Sequence, residues 1–180
     1  MAEITIPQIC EIFHCDSVGL ANGGEVELRE SDQNVDYIVR LSNVPEDCII
    51  VKMDRFEARA GFFSESCELP VGKRADYALI DMVGQKIVVV ELKKGTYENG
   101  HVRSQLSGGA ALFDYLSSLL KWHADCENLF KGFCLHFVVI GKKSASRKTT
   151  RNQFSNTSPN HFLKVVRRNG EPIPFRMLIN

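Results

Sequence analysis

The chain has 180 residues, 44% of them hydrophobic, with 22 basic and 22 acidic side chains and a net charge of zero. That length buries a substantial core, and the balance by itself argues neither for nor against a nucleic-acid partner. No apolar run approaches the roughly 20 residues of a transmembrane helix, and Met1-Ala2-Glu3-Ile4 lacks the basic and apolar segments of an export signal, so a cytoplasmic location is expected. Six cysteines (Cys10, Cys15, Cys48, Cys67, Cys126, Cys134) form no C-x-x-C pair and are expected to be reduced, mostly small core residues. Cys10, His14 and Cys15 cluster, but no second ligand pair stands at zinc-site spacing.

Along the chain, residues 4–15 read as a short helix from about Pro7 or an irregular apolar arm, and Gly23-Gly24 as a turn. Residues 25–30 and 36–41 alternate apolar with polar, which predicts two antiparallel strands. Asn43-Val44-Pro45 breaks the pattern, residues 48–53 form another strand, and residues 56–63 fit either helix or strand. Two apolar strands then meet at a tight turn, Gly84-Gln85. The second is rich in Val and Ile and is expected to lie buried on both faces in mid-sheet.

After a loop over 96–100, a helix is predicted from about 101 to 124, with Leu106, Ala110, Phe113, Leu116 and Leu120 as its core stripe. Gly108-Gly109 weakens its interior and would let it approach the sheet closely. Residues 133–140 form a second buried strand, so strand–helix–strand predicts a right-handed crossover. His136 inside it reads as a hydrogen-bonded core residue, His101 and His123 as surface residues. Residues 141–159 lack periodicity and look like a basic loop. Residues 161–168 and 173–179 around Asn169-Gly170 predict a C-terminal β-hairpin, its second strand kept to an edge or end by Pro172 and Pro174.

Charges stand where the central hairpin should be most apolar. Glu91 and Lys93, two residues apart in a strand, point to one face, and burying them is costly unless they are paired or bind something. A turn centred near Gly84 makes opposed residue numbers sum to about 167 or 169. Asp76 then lies opposite Glu91 or Lys93 on their face, whereas Asp81 falls beside the turn and faces away. A one-residue slip would reverse that choice.

The triplet Asp76, Glu91, Lys93, with Glu91-Leu92-Lys93 at a strand end, resembles the PD-(D/E)xK nuclease superfamily over roughly residues 50–140. Gln105-Leu106 and the later Tyr115 are similar to the glutamine-bearing helix of its exonuclease-like branch, and Ala75 stands where the family name expects proline. The resemblance implies a restriction-endonuclease-like α/β fold, a central mixed sheet flanked by helices, here with added N-terminal strands and the C-terminal hairpin. It implies one domain over 1–180, with a core of about 48–141, an extension over 1–47, and the basic loop and hairpin over 142–180. It further implies a Mg²⁺-dependent (or Mn²⁺-dependent) nuclease, the ion held by Asp76, Glu91 and the Leu92 carbonyl. Carboxylates are hard ligands suited to such an ion. Lys93 would orient or deprotonate the attacking water, and Gln105 would position the water or the phosphate. The superfamily's usual first helix is not evident; Glu57, Glu65 and Glu68 are candidates for its extra glutamate.

Residues 131–180 hold ten Lys or Arg against one acid, Glu171, leaving twelve basic and twenty-one acidic residues in the first 130. That asymmetry points to a basic face for a polyanion, with Lys142, Lys143, Arg147, Lys148 and Arg151 gripping nucleic-acid backbone, DNA by family habit rather than RNA. Homodimerisation or a larger complex stays open. The alternatives are a catalytically inert nuclease-like binding module and an interaction subunit of a defence or repair complex.

Overall fold

A computed structural model describes residues 13, 15–21, 23–32, 35–55, 72–123, 130–142, 155–167 and 171–179. Among these residues two sheets and one long helix make up a mixed α/β arrangement. Strands β1 (Val18–Leu20), β4 (Cys48–Lys52), β5 (Tyr77–Asp81), β6 (Lys86–Lys93), β7 (Cys134–Lys142) and β8 (Leu163–Arg167) form a six-stranded sheet in the order β1-β4-β5-β6-β7-β8. Pairing is antiparallel from β1 to β6 and parallel from β6 to β8. Strands β2 (Glu25–Asp32), β3 (Val35–Ser42) and β9 (Pro172–Pro174) form a second sheet. The alternation over 25–41 therefore does produce an antiparallel pair.

Helix α1 (Asn99–His123) joins β6 to β7, and the parallel neighbours it connects agree with the strand–helix–strand expectation. Strand β6 is covered on both faces, as its unbroken run of branched side chains predicts. Ile87 and Val89 pack with Val102, Leu106, Phe113 and Leu116 of α1. Val88, Val90 and Leu92 pack with Leu28, Tyr37, Val39 and Leu41 of the second sheet. Each such buried side chain contributes on the order of 1.5–3 kcal/mol.

Gly108 and Gly109 set how closely α1 seats. A Cβ on Gly108 would lie 1.7 Å from the Lys73 carbonyl oxygen, and one on Gly109 2.6 Å from Val89 Cγ1. The double glycine thus lets the helix rest directly on the segment leading into Asp76.

Two expectations need correction. Among the described residues one helix covers one face of the central sheet, and the second sheet, not a helix, covers the other. The C-terminal hairpin does not form: β8 adds in parallel to β7, whereas β9 adds in parallel to β3 in the other sheet. Local turn chemistry at Asn169-Gly170 suggested two paired strands; the apolar faces of Val165 and Ile173 instead complete one interlayer core from opposite sides. The expected arm over 4–15 (beyond Phe13 and Cys15), the segment 56–63 and Glu57, Glu65 and Glu68 lie outside the described residues. His136 is buried, with Nδ1 3.0 Å from Asn156 Oδ1, as a core histidine should be.

Candidate active site

The β5–β6 register is Tyr77↔Val90 through Asp81↔Lys86, so opposed numbers sum to 167. At the turn, Asp81 Oδ1 accepts a hydrogen bond from the Gly84 amide at 2.7 Å, a self-contained cap. At the open end, β5 has stopped at Tyr77 and the position facing Glu91 falls to Asp76. Its Oδ2 accepts the Leu92 amide at 2.6 Å, which ties its carboxyl to β6 beside Glu91. A strand residue's carbonyl projects to the same side as its amide, so the Leu92 carbonyl also faces the edge where Asp76 sits.

Glu91 is fully buried, at 0% exposure. The Lys93 ammonium ion-pairs with its Oε1, and its Oε2 has no hydrogen-bond partner among the described residues. Burial pushes the Glu91 carboxyl up to about 8, and the Asp76 charge adds to the shift against the opposing Lys93 ammonium. Burial likewise raises Asp76 to about 6, partly offset by the Leu92 amide, with Glu30 raising it further. Burial is the first cause at both carboxyls, so this end of the hairpin holds protons more tightly than exposed acids would, even with Lys93 ion-paired to Glu91.

Gln105 lies on the same side. Gly109 rests over Val89, and α1 runs back against the direction of β6. Four residues of helix rise about 6 Å and two of strand about 6.6 Å, so Gln105 is level with Glu91. Its Oε1 is buried without a hydrogen-bond partner among the described residues. Tyr115, more than four turns from the helix start, is 59% exposed and stands away from this site.

Sequence reasoning missed Glu30. The Tyr77 hydroxyl donates to the Arg29 carbonyl at 2.8 Å and accepts from its amide at 3.1 Å, which seats the β2 residue before Glu30 against the residue after Asp76. The Glu30 charge raises both Asp76 and Glu91, and Asp54 adds to Asp76. A signal was there: Val26 and Leu28 are the inward residues of β2, and Glu30 continues their alternation.

A divalent cation suits this donor set. Mg²⁺ typically takes one or two protein carboxylates plus water and phosphate. Asp76 and Glu91 supply two, with an orphaned buried oxygen. Among the described residues no three Asp, Glu, His or Cys side chains gather closely enough to hold an ion together. Of the basic residues expected to grip nucleic acid, Lys142 ends β7, and Lys143, Arg147, Lys148 and Arg151 lie outside the described residues. No helix among the described residues is long and apolar enough to cross a membrane. Comparison of the chain with protein-family models, curated proteins and solved structures finds no match.

Proposed function

We propose that this chain is a metal-dependent nuclease of the PD-(D/E)xK kind, hydrolysing phosphodiester bonds with DNA as its expected substrate. The observation that carries the reading is Glu91: a wholly buried carboxylate with an orphaned oxygen, beside Asp76 and ion-paired to Lys93. Such a group is costly to keep unless binding compensates it.

Asp76, Glu91 and the Leu92 carbonyl would hold Mg²⁺ or Mn²⁺. When bound, such an ion polarises the scissile phosphate and acidifies a coordinated water. To bind it, Asp76 and Glu91 give up their protons. Lys93, beside Glu91, would orient the attacking water and offset charge developing on the phosphate. The Gln105 amide, level with Glu91, holds water or phosphate in line.

The test pairs two readouts. Plasmid and single-stranded DNA are incubated with Mg²⁺ or Mn²⁺ against EDTA, and Mn²⁺ binding is titrated calorimetrically on wild type and E91Q. Metal-dependent cutting that K93A abolishes, with Mn²⁺ binding lost in E91Q, is expected. Wild-type protein that neither binds Mn²⁺ nor cuts would end the proposal; DNA binding without cutting would favour the inert module.

A further inference from the structure

The register of the central sheet puts a lysine in line with the carboxylates. Glu91 pairs with Val139, and Val139 with Lys164, so the three share one row and one face across β6, β7 and β8. Two strand spacings put Lys164 about 10 Å from Glu91. Its ammonium donates to Asn99 Oδ1 at 2.9 Å, at the first residue of α1, and lies 5.5 Å from the centre of the Phe162 ring.

A second cation stands at the same helix turn by another route. Lys73, whose carbonyl oxygen rests on Gly108, extends Nζ to within 3.2 Å of His101 Nδ1. Desolvation first, and then the Lys73 and Lys93 charges, hold the His101 imidazole below its ordinary value, against Glu98 nearby. Lys94 and Arg103, near His101 in sequence, are exposed. Glu30 of β2 and Asp54, itself 3.6 Å from the Lys52 ammonium, add negative charge at Asp76. A polyanion reaching the carboxylates is therefore attracted along the first turn of α1.

We infer that the substrate strand crosses the helix face of the sheet at the first turn of α1, where Lys164 and Lys73 each hold a phosphate flanking the one cut at Asp76 and Glu91. This rests on the nuclease reading and adds the path of the substrate backbone to it. It assigns that path to residues far in sequence from one another and apart from the basic loop.

Binding of a labelled single-stranded DNA oligonucleotide is measured in EDTA across a salt series, so that cutting does not enter. Variants are K73A, K164A, the double variant, and K131A, which removes one exposed charge before β7 at the opposite end of the sheet. Each site variant is expected to weaken binding several-fold and to reduce the slope of log affinity against log salt by about 0.7, the double variant by about 1.4. K131A leaves both near wild type. K73Q and K164Q, which keep most of the aliphatic stem, reproduce the loss, and K164R restores binding.

The inference is overturned if the double variant matches K131A, or if wild-type protein does not bind the oligonucleotide. Wild type that binds with the expected slopes but never cuts with metal would remove the nuclease reading and leave the backbone path standing. Cutting with wild-type slopes in the double variant would do the reverse.

Discussion

The two ends of the β5–β6 hairpin each carry an aspartate next to β5, and the two are used in opposite ways. Asp81 is matched to its turn: Gly84 donates its amide, and a Cβ on Gly84 would come within 2.2 Å of Asp81 Oδ2, so the cap and the glycine require each other. Asp76, at the open end, faces Glu91, and burial raises both carboxyls above their ordinary range. One end uses its carboxylate to close the chain; the other places two carboxyls, one of them fully buried, beside a lysine. Fold and site are thus separable within five residues.

The strongest way to break this comparison is to swap its consequences. D76N, E91Q and K93A should each lower cleavage by about 100-fold or more, the scale of losing one stabilising group. D81A should leave the rate of the folded protein near wild type. It should cost about 1 kcal/mol and lower Tm by roughly 2–4 °C for a chain of this size. A cleavage defect in D81A as deep as in D76N would erase the distinction.

Next in size is G108A. Its Cβ would collide with the Lys73 carbonyl oxygen, a backbone atom that cannot rotate away, so the loss should reach the upper part of the 1–3 kcal/mol seen for overpacking. Because the displaced segment leads into Asp76, Mn²⁺ affinity should fall together with Tm in urea or thermal melts.

The open end should also titrate. Asp76 and Glu91 have folded values raised above the ordinary carboxyl range, so the folded state binds protons more tightly than the unfolded state. Their contribution to stability is fully present below about pH 4. It is lost as pH rises through about 6 and about 8. In EDTA the Tm advantage of wild type over E91Q should therefore shrink from pH 5 to pH 8.5, and Mg²⁺ should restore wild type most at the alkaline end. A difference that stays flat with pH would mean Glu91 is compensated after all.

The smallest effect is expected at Tyr37. It is 1% exposed, its hydroxyl has no hydrogen-bond partner among the described residues, and burial with the Glu30 charge pushes it up to about 12. Y37F should be neutral or stabilising by up to about 1 kcal/mol in denaturant melts. Destabilisation would reveal an ordered partner at that oxygen.

How much of this was legible follows from which signals are local. The hairpin register came from Gly84-Gln85, and the helix from the spacing of Leu106, Phe113, Leu116 and Leu120, since both patterns are complete within one element. The role of Gly108-Gly109 was legible for the same reason. Partnership between β8 and β9 was not: a turn signal says that the chain reverses, not that the next strand stays in the same sheet. Glu30 was hidden because its approach to Asp76 depends on how the second sheet docks, and only its inward place after Val26 and Leu28 hinted at it.

The Tyr77 hydroxyl has a further effect at the outer border of the second sheet. Strand β2 is the terminal strand there, and the amide and carbonyl of Arg29 on its free side are both taken by one phenol. A foreign β-strand seeking to extend the sheet meets a rung already occupied at that point. The side chain that fastens the layers together therefore also guards the molecule against edge-to-edge aggregation.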